Sequence, residues 1–270
     1  MKKTTFLYIV AVAFLLSNFA IAQVGIGTSS PKGVLDIDSN TFGVVYPKVV
    51  LTATNVAAPV VNPNGGSLAV GTTVYNTNTT NTGTKDVEPG IYSWDGTQWV
   101  THFFKRQSEL FKQTSVLRTS SSLGWQDVPN LGFLSANTFT AKYSGLYRIE
   151  VKTHFGGGRM DDNGDVNVAA QQGLFRFTFD GTNYNFDTKS YSVYNDNIGS
   201  GVYFTNIAKE AYITKYINLT AGQTYSFYLQ FNQETSPGFE SDGDLFLTLD
   251  GRGYVGDGIP CQIEFTYIDE

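Results

Sequence analysis

The stretch Leu174-Phe-Arg-Phe-Thr-Phe179, followed by Asp180-Gly181, decides the fold class. Its phenylalanines alternate with Arg176 and Thr178, and this period of two is typical of a strand with one buried face. An Asp-Gly pair at the end of such a run favours a tight hairpin turn. The stretch therefore predicts an antiparallel strand pair whose phenylalanine face lies in a hydrophobic core.

Strand patterns of the same kind continue on both sides of this stretch. Turns rich in Gly, Asn and Asp separate them, at a spacing typical of a β-sandwich or jelly roll. The predicted strands lie within Phe139–Val151, Ala211–Ile217, Thr224–Phe231 and Asp244–Leu249, and a last strand contains Cys261. We predict that residues 118–270 form an antiparallel β-sandwich of jelly-roll type.

The composition of the whole chain is also that of an all-β protein. Its 270 residues include 20 Phe, 16 Tyr and 28 Gly, which are strand and turn formers. A single Cys excludes an internal disulfide or a cysteine-cluster metal site, and two His make a histidine metal centre a poor fit. We predict no cofactor. The net charge of −6 argues against nucleic acid as a partner, because phosphate binding needs clustered Lys and Arg.

The N-terminal segment has the pattern of a targeting sequence. Lys2 and Lys3 precede an apolar run at 6–16, and Ala20-Ile-Ala22 provides a cleavage site of small residues. We predict a signal peptide over residues 1–22 and export to the extracellular space or the outer cell surface; an uncleaved anchor is the alternative. No later run approaches the ~20 apolar residues of a membrane span, so we expect no transmembrane segment after cleavage.

Residues 23–100 contain short apolar runs with polar spacers between them. The runs are Val24-Gly-Ile-Gly-Thr28, Val34-Leu-Asp-Ile-Asp38, Gly71-Thr-Thr-Val-Tyr-Asn76 and Gly90-Ile-Tyr-Ser-Trp-Asp-Gly-Thr-Gln-Trp-Val100. In the last run, Asp95-Gly96 is a strong hairpin signal. Strands this short bury little surface alone, so we predict an extended module that needs a partner surface, such as a copy of itself.

This order of motifs resembles a module of exported proteins from Bacteroidetes-type bacteria. Its first part is also similar to the shafts of phage tail fibres and trimeric adhesins. The resemblance implies a stalk-like assembly element, often in a trimer. Two features depart from the pattern: Tyr46-Pro-Lys48 stands where the family usually has Pro-Pro-Arg, and the Asn/Thr run at 76–84 is an insertion.

The linker, residues 101–117, has two interpretations. Apolar residues at Phe103-Phe104, Leu110-Phe111 and Leu117 recur every seven positions, which is a heptad-like spacing. Two such intervals are too few to predict a coiled coil. The linker is therefore either a short helix or the first strand of the following domain.

A second resemblance concerns the C-terminal part. Phe139, Gly145 and Tyr147, and then the segment Ile217–Tyr225, are similar to strand positions of C1q/TNF-like domains. The resemblance implies a jelly roll that trimerises through aromatic-lined faces and binds ligands through its loops. The last strand, from Cys261 onward, departs from the usual ending of C1q domains.

Two acidic loops are candidate calcium sites. They are formed by Asp161, Asn163 and Asp165 and by Glu240, Asp242 and Asp244. Oxygen side chains in such clusters are the ligands that Ca²⁺ prefers, but the same residues also form ordinary turns. The sequence leaves both interpretations open.

No motif predicts catalysis, and we assign no catalytic, cofactor or metal residue. Gly251-Arg-Gly-Tyr-Val-Gly256 matches a dinucleotide fingerprint, but Pro260 prevents the helix that must follow it, so an inter-strand loop is expected. His102 and His154 are expected to be surface or packing residues. Cys261 alternates with polar neighbours and is predicted to be a buried core residue.

These observations predict a non-enzymatic, exported and homotrimeric structural or recognition protein. Its predicted parts are a signal peptide (1–22), a stalk module (23–100), the linker (101–117) and a jelly-roll head (118–270) that binds a protein or glycan. The alternative is a carbohydrate-active protein, either a glycan-binding module or a glycosidase. It would use the loops at 156–173 and 181–201, with Tyr184, Tyr191 and Tyr194 as stacking platforms.

Overall fold

A computed structural model describes residues 23–162, 166–247 and 250–269. The predicted signal peptide and two residues of the first acidic loop, Asn163 and Asp165, lie outside the described residues. Within these ranges the chain consists of strands and loops, with 3-10 helices only at Phe133–Ser135 and Glu240–Gly243. The predicted all-β class is confirmed. No helix of the described ranges has the length and apolarity to cross a membrane.

The strands are numbered in chain order. They are β1 (Val24–Ile26), β2 (Leu35–Ile37), β3 (Lys48–Val49), β4 (Thr73–Asn76), β5 (Gly90–Trp94), β6 (Trp99–Thr101), β7 (Ser108–Lys112), β8 (Leu117–Arg118), β9 (Gln126–Asp127), β10 (Thr138–Thr140), β11 (Gly145–Gly156), β12 (Val166–Phe179), β13 (Thr182–Asn195), β14 (Val202–Ile207), β15 (Lys209–Leu219), β16 (Thr224–Gln233), β17 (Tyr254–Val255) and β18 (Gln262–Asp269). Compactness divides the chain into two units between Tyr46 and Pro47. The expected boundaries after residues 22, 100 and 117 rest on sequence type and stay predictions.

The first unit is a small parallel pairing of β1 with β2. The Asp38 N–H donates a hydrogen bond to the Ile26 carbonyl (2.9 Å), which extends the pairing beyond the strands. Gly27 has a φ of +78°, and a Cβ at this position would lie 2.1 Å from the Asp38 carbonyl oxygen. Only glycine permits this close approach, which explains the second glycine of the Val-Gly-Ile-Gly motif.

The second unit begins with a four-stranded sheet in the order β3-β4-β5-β6. The predicted hairpin is present: Trp94 pairs with Trp99, and their ring centroids lie 5.3 Å apart. In its turn, Asp95 Oδ1 accepts hydrogen bonds from the backbone N–H groups of Thr97 and Gln98, both at 2.7 Å. One face of the sheet covers a small core that consists of Leu51, Val74, Val87, Tyr92, Trp94 and Trp99.

Two further sheets form the predicted antiparallel sandwich, which is confirmed and is consistent with a jelly roll. Sheet I has the order β10-β16-β12-β13-β14, and β9 also pairs with β16. In sheet II, β11 lies between β15 and β18, and β7 forms the edge beside β18. Phe175, Phe177 and Phe179 of β12 are buried in the core between the sheets, as their alternation predicts.

The linker is resolved as a strand rather than a helix over Ser108–Lys112. β7 pairs with β18, so the chain enters the sandwich here. Phe111 packs against Phe227 and Phe265, at centroid distances of 4.7 and 5.9 Å, whereas Leu110 is exposed. The local period is therefore two, because one face of an edge strand meets the core.

The prediction of a strand over Asp244–Leu249 is wrong for the described residues 244–247, which form a turn. Asp244 Oδ1 accepts a hydrogen bond from the Phe246 N–H (2.9 Å), and the Leu245 N–H donates to Ser120 Oγ (3.1 Å). This local side-chain bonding competes with strand pairing, as is common for Asp.

Replacing Phe265 tests the sandwich core. Phe265 is fully buried, so Phe265→Ala should lower the free energy of unfolding by about 3–5 kcal/mol through lost burial and a cavity. Phe246→Ala removes the same ring from an exposed turn and should change it by less than about 0.5 kcal/mol. Urea unfolding at a fixed protein concentration measures both. Equal effects would contradict the central position of Phe265.

Candidate self-association surfaces

The first unit exposes its apolar side chains. No residue between 23 and 46, all of them described, is buried. Phe42 and Val45 are 83% and 84% exposed, and the four apolar residues of the paired strands are exposed as well. Contiguous apolar surface of this kind usually marks an interaction site.

A second apolar patch lies between the four-stranded sheet and the sandwich. Val100, Phe103, Phe104 and Ile268 are exposed here, and Phe104 is 88% exposed. They border a cleft of about 270 Å³ whose floor includes the buried ring of Trp99. The patch thus belongs to the end of the stalk module and to the last strand of the sandwich at once.

Gln107 fastens the linker to the sandwich beside this patch. Its Oε1 accepts hydrogen bonds from the Tyr147 hydroxyl and from the Lys142 N–H, both at 2.7 Å. Its Nε2 donates to the Thr140 carbonyl (2.8 Å), and its own carbonyl accepts from the Tyr267 N–H (2.9 Å). One side chain and its backbone therefore hold two loop ends and the last strand in place.

Asp86 makes a second connection between the four-stranded part and the sandwich. Its Oδ2 accepts a hydrogen bond from Ser144 Oγ (2.8 Å), and Ser144 Oγ in turn accepts from the Ala221 N–H (2.9 Å). Its Oδ1 accepts from the backbone and hydroxyl of Thr82 and from the Thr80 hydroxyl, at 2.7–3.1 Å. Burial alone would raise the pKa of Asp86, but these hydrogen bonds to the ionised form outweigh it and lower the pKa below its usual value.

The outer face of sheet II carries two exposed tyrosines, Tyr212 and Tyr216 of β15. Next to them on β11, Glu150 lies between two cations: its Oε1 is 2.7 Å from Lys152 Nζ, and its Oε2 is 3.9 Å from Arg148 Nε. Each cation is the cross-strand partner of a tyrosine: Arg148 lies opposite Tyr216, and Lys152 lies opposite Tyr212. Glu264 of β18 is the cross-strand partner of Glu150, so two carboxylates and two cations share this face. Aromatic rings beside such balanced charges form a surface that can be covered at little electrostatic cost.

The two histidines are held by structural contacts. His102 Nε2 lies 2.8 Å from the Ser93 hydroxyl at the surface of the four-stranded sheet. His154 is buried in sheet II, with Nε2 3.5 Å from Glu210 Oε2 of the neighbouring strand. The two are on different sheets, and nothing in the described surroundings gives either a reacting group.

The three carboxylates of the second acidic loop already have protein partners. Glu240 pairs with Arg159 (2.8 Å), Asp242 Oδ1 accepts from the Ser236 N–H (2.8 Å), and Asp244 closes the turn described above. Within the described ranges, no group of three His, Cys, Asp or Glu residues could hold a metal ion. These contacts are those of turns; Asp161 is half-buried, and the other two residues of its loop are not described.

The Gly251–Gly256 segment packs tightly at the end of the sandwich. A Cβ on Gly251 would lie 2.1 Å from the Glu240 carbonyl oxygen, and one on Gly253 would lie 2.5 Å from the Phe155 ring. Strand β17 lies within this segment and strand β18 follows it, where a nucleotide site would need a helix. The predicted core position of Cys261 is confirmed: burial raises the pKa of its thiol to about 12.

The three tyrosines proposed as sugar platforms differ in exposure. Tyr194 is buried and packs against Tyr203 (4.7 Å), and Tyr184 is half-buried beneath Lys215, whose Nζ is 4.6 Å from the ring centroid. Only Tyr191 of the three is exposed. Alternation along β13 places Tyr184 and Tyr194 on one face and Tyr191 on the other, but it does not say which of the two faces is covered.

Residues 25–115 match the family described as "Phage tail like trimerisation region". The match contains almost all of the described part of the first unit, the four-stranded sheet and β7. The tail-fibre-like character of the N-terminal module is thereby supported at the level of family.

The chain is also similar to solved virus structures. For the infectious bursal disease virus VP2 subviral particle, identity is 12%, coverage is 63% of this chain and 35% of that chain, and the TM-score is 0.23. For the T13 particle of the same virus, identity is 11%, coverage is 67% of this chain and 42% of that chain, and the TM-score is 0.23. The chain spans less than half the length of these structures. No curated protein matches the sequence.

Asp86→Asn should weaken the attachment of the four-stranded part in a pH-dependent way. The folded-state pKa of Asp86 is lowered, so its contribution is present above the unfolded pKa of about 3.9 and is lost as the pH falls through the folded value. At pH 7 we expect a loss of about 1–3 kcal/mol in unfolding free energy, which shrinks below about pH 4. Glu109→Gln, at an exposed carboxylate of β7, is the control and should show neither effect. Chemical unfolding between pH 3 and 7 measures the difference in unfolding free energy between the variant and the unmodified protein. A difference that does not change with pH would contradict the role of the ionised Asp86 carboxylate.

Proposed function

We propose that the protein is a homotrimeric structural protein in which the N-terminal region holds three copies together and the sandwich serves as a recognition head. One observation carries the proposal. Residues 23–46 bury none of their own side chains, and almost all of them lie in the segment that matches a trimerisation region.

The energetics of the first unit favour self-association. Two paired strands of three residues each are not stable in water by themselves. Each Val, Leu or Ile side chain that becomes buried contributes about 1.5–3 kcal/mol. Three copies that cover one another's apolar strands would supply the core that each copy lacks.

A second contact between copies involves the outer face of sheet II. The resemblance to C1q/TNF-like domains implies trimerisation through aromatic-lined faces, and Tyr212 and Tyr216 are exposed aromatics on such a face. The ion pairs around Glu150 leave this face with little unbalanced charge. The head would thus reinforce a trimer that the N-terminal region initiates.

The protein acts outside the cytoplasm and without catalysis. The basic, apolar and small-residue pattern of residues 1–22 supports export. Both histidines and the carboxylates of Glu240, Asp242 and Asp244 are engaged in structural contacts, which supports a binding or structural role over an enzymatic one.

The oligomeric state tests the proposal. Residues 23–270 should sediment at three times the mass of one chain. Ile26→Glu combined with Leu35→Glu should give single chains, because like charges would meet at the apolar contact. Val168→Glu places a charge on an exposed valine of the head, outside the matched segment, and should leave the trimer intact. A single-chain mass for the unmodified protein would overturn the proposal.

Export has its own test. The full chain, expressed in a Gram-negative host, should leave the cytoplasm and begin at Gln23, as read by N-terminal sequencing. Ala22→Asp places a charged residue at the cleavage site and should block processing, whereas Ala13→Leu keeps the apolar run and should not. An unprocessed chain that stays in the cytoplasm would contradict export.

A further inference from the structure

The outer face of sheet I presents rows of polar side chains on three neighbouring strands, β16, β12 and β13. Register pairs them across the strands, with Gln230, Arg176 and Asn185 in one row and Tyr228, Thr178 and Asn183 in the next. The opposite face of the same strands holds the core phenylalanines. Adjacent strands lie ~4.8 Å apart, so each row is about 10 Å long.

Aromatic rings border these rows at one side. The Arg176 guanidinium lies over the Trp125 ring, 4.1 Å from its centroid. Phe133, which is 61% exposed, meets Tyr228 edge to face at 5.2 Å. Trp125 is the only tryptophan of the head, and the structure places it on this face rather than in the core.

Arg176 carries a charge that the protein does not neutralise by direct contact. Of its five N–H donors, one bonds to Gln230 Oε1, and its Nε is buried with no hydrogen-bond partner. None of the ion pairs found among the described residues includes it.

Two acidic groups lie near these rows: Asp187 is one row further along β13, and Asp127 is held by other contacts. Asp127 Oδ1 accepts a hydrogen bond from Gln230 Nε2 (2.8 Å), and its Oδ2 accepts from the Leu134 N–H (3.1 Å). Gln230 therefore stands between the carboxylate and the guanidinium. A partly buried guanidinium without a carboxylate complements a carboxylate brought by a ligand, because its planar fork matches that group in shape and charge.

We propose that this face binds a carboxylate-bearing glycan. The sugar carboxylate pairs with Arg176, and a pyranose ring lies against the aromatic border. Hydroxyl groups bond to Asn183 and Asn185, whose amides both donate and accept. Flat rows of amides beside aromatic rings suit a polyhydroxylated ring better than an extended peptide, which would require a free strand edge for its backbone.

The proposal does not depend on trimerisation. Tyr212 and Tyr216 belong to the outer face of sheet II, whereas the rows described here lie on the outer face of sheet I. A single chain would carry the same site, so failure of one proposal leaves the other standing.

Calorimetric titration of residues 23–270 with a galacturonic acid hexamer tests the site. We expect saturable binding, at least about tenfold stronger than for the neutral galactose hexamer. Arg176→Gln should weaken hexauronate binding about tenfold or more, since hydrogen bonds to charged groups are worth about 1.5–3 kcal/mol. Asn185→Ala, at an exposed position, should weaken both hexamers by a smaller factor.

Tyr191→Ala is the matched control. Tyr191 is exposed on β13 six residues beyond Asn185, ~20 Å along the strand, and its loss should leave binding unchanged. Equal affinity for the neutral hexamer, or unchanged affinity in a folded Arg176→Gln variant, would overturn the role of the guanidinium. Absence of hexauronate binding, or equal binding of a glutamate hexapeptide, would overturn the assignment to a glycan.

Discussion

The packing of Phe265 is the contact on which the sandwich depends. Its ring stacks on Phe139 at 4.3 Å and touches Phe227 at 5.0 Å, Phe179 at 5.8 Å and Phe111 at 5.9 Å. These partners come from both sheets and from the strand by which the chain enters the sandwich. Because β18 lies between β7 and β11, the core is complete only when the end of the chain is in place. Pairing between Ser108 and Glu264 spans 156 residues, and such non-local contacts make folding slow.

Polar side chains replace this aromatic packing at one end of the sandwich. Gln171 accepts from the Gly158 N–H (2.8 Å) and donates to the Gly251 carbonyl (2.6 Å), and Gln233 accepts from the Gly253 N–H (2.9 Å). Buried amides here satisfy backbone groups that run outside any strand pairing. The glycines of the loop permit this close packing, because a Cβ on Gly251, Gly253 or Gly256 would lie 2.1, 2.5 or 1.9 Å from a neighbouring atom.

Three surfaces formed by the described residues differ in chemistry. The first unit is apolar and has no core of its own, and the outer face of sheet II combines tyrosines with balanced ion pairs. The outer face of sheet I is rich in amides and holds an arginine without a carboxylate. Gln107 fastens the linker to the sandwich, and Asp86 fastens the four-stranded part to it.

The all-β class, the Asp95-Gly96 hairpin and the buried Phe175–Phe179 face could be predicted from sequence, because period-two alternation and turn chemistry are local properties. The strand in the linker could not be predicted from sequence, since an apolar residue at position 111 fits a helical heptad as well as a strand. Only the contacts of Phe111 with Phe227 and Phe265 show that it belongs to a strand. The site proposed on sheet I was equally hidden. Trp125 and Gln230 are each more than 50 residues from Arg176 in the sequence, and only the folded structure brings them to its guanidinium. Local pattern fixes which side chains avoid water, whereas their neighbours depend on long-range pairing that no local pattern encodes.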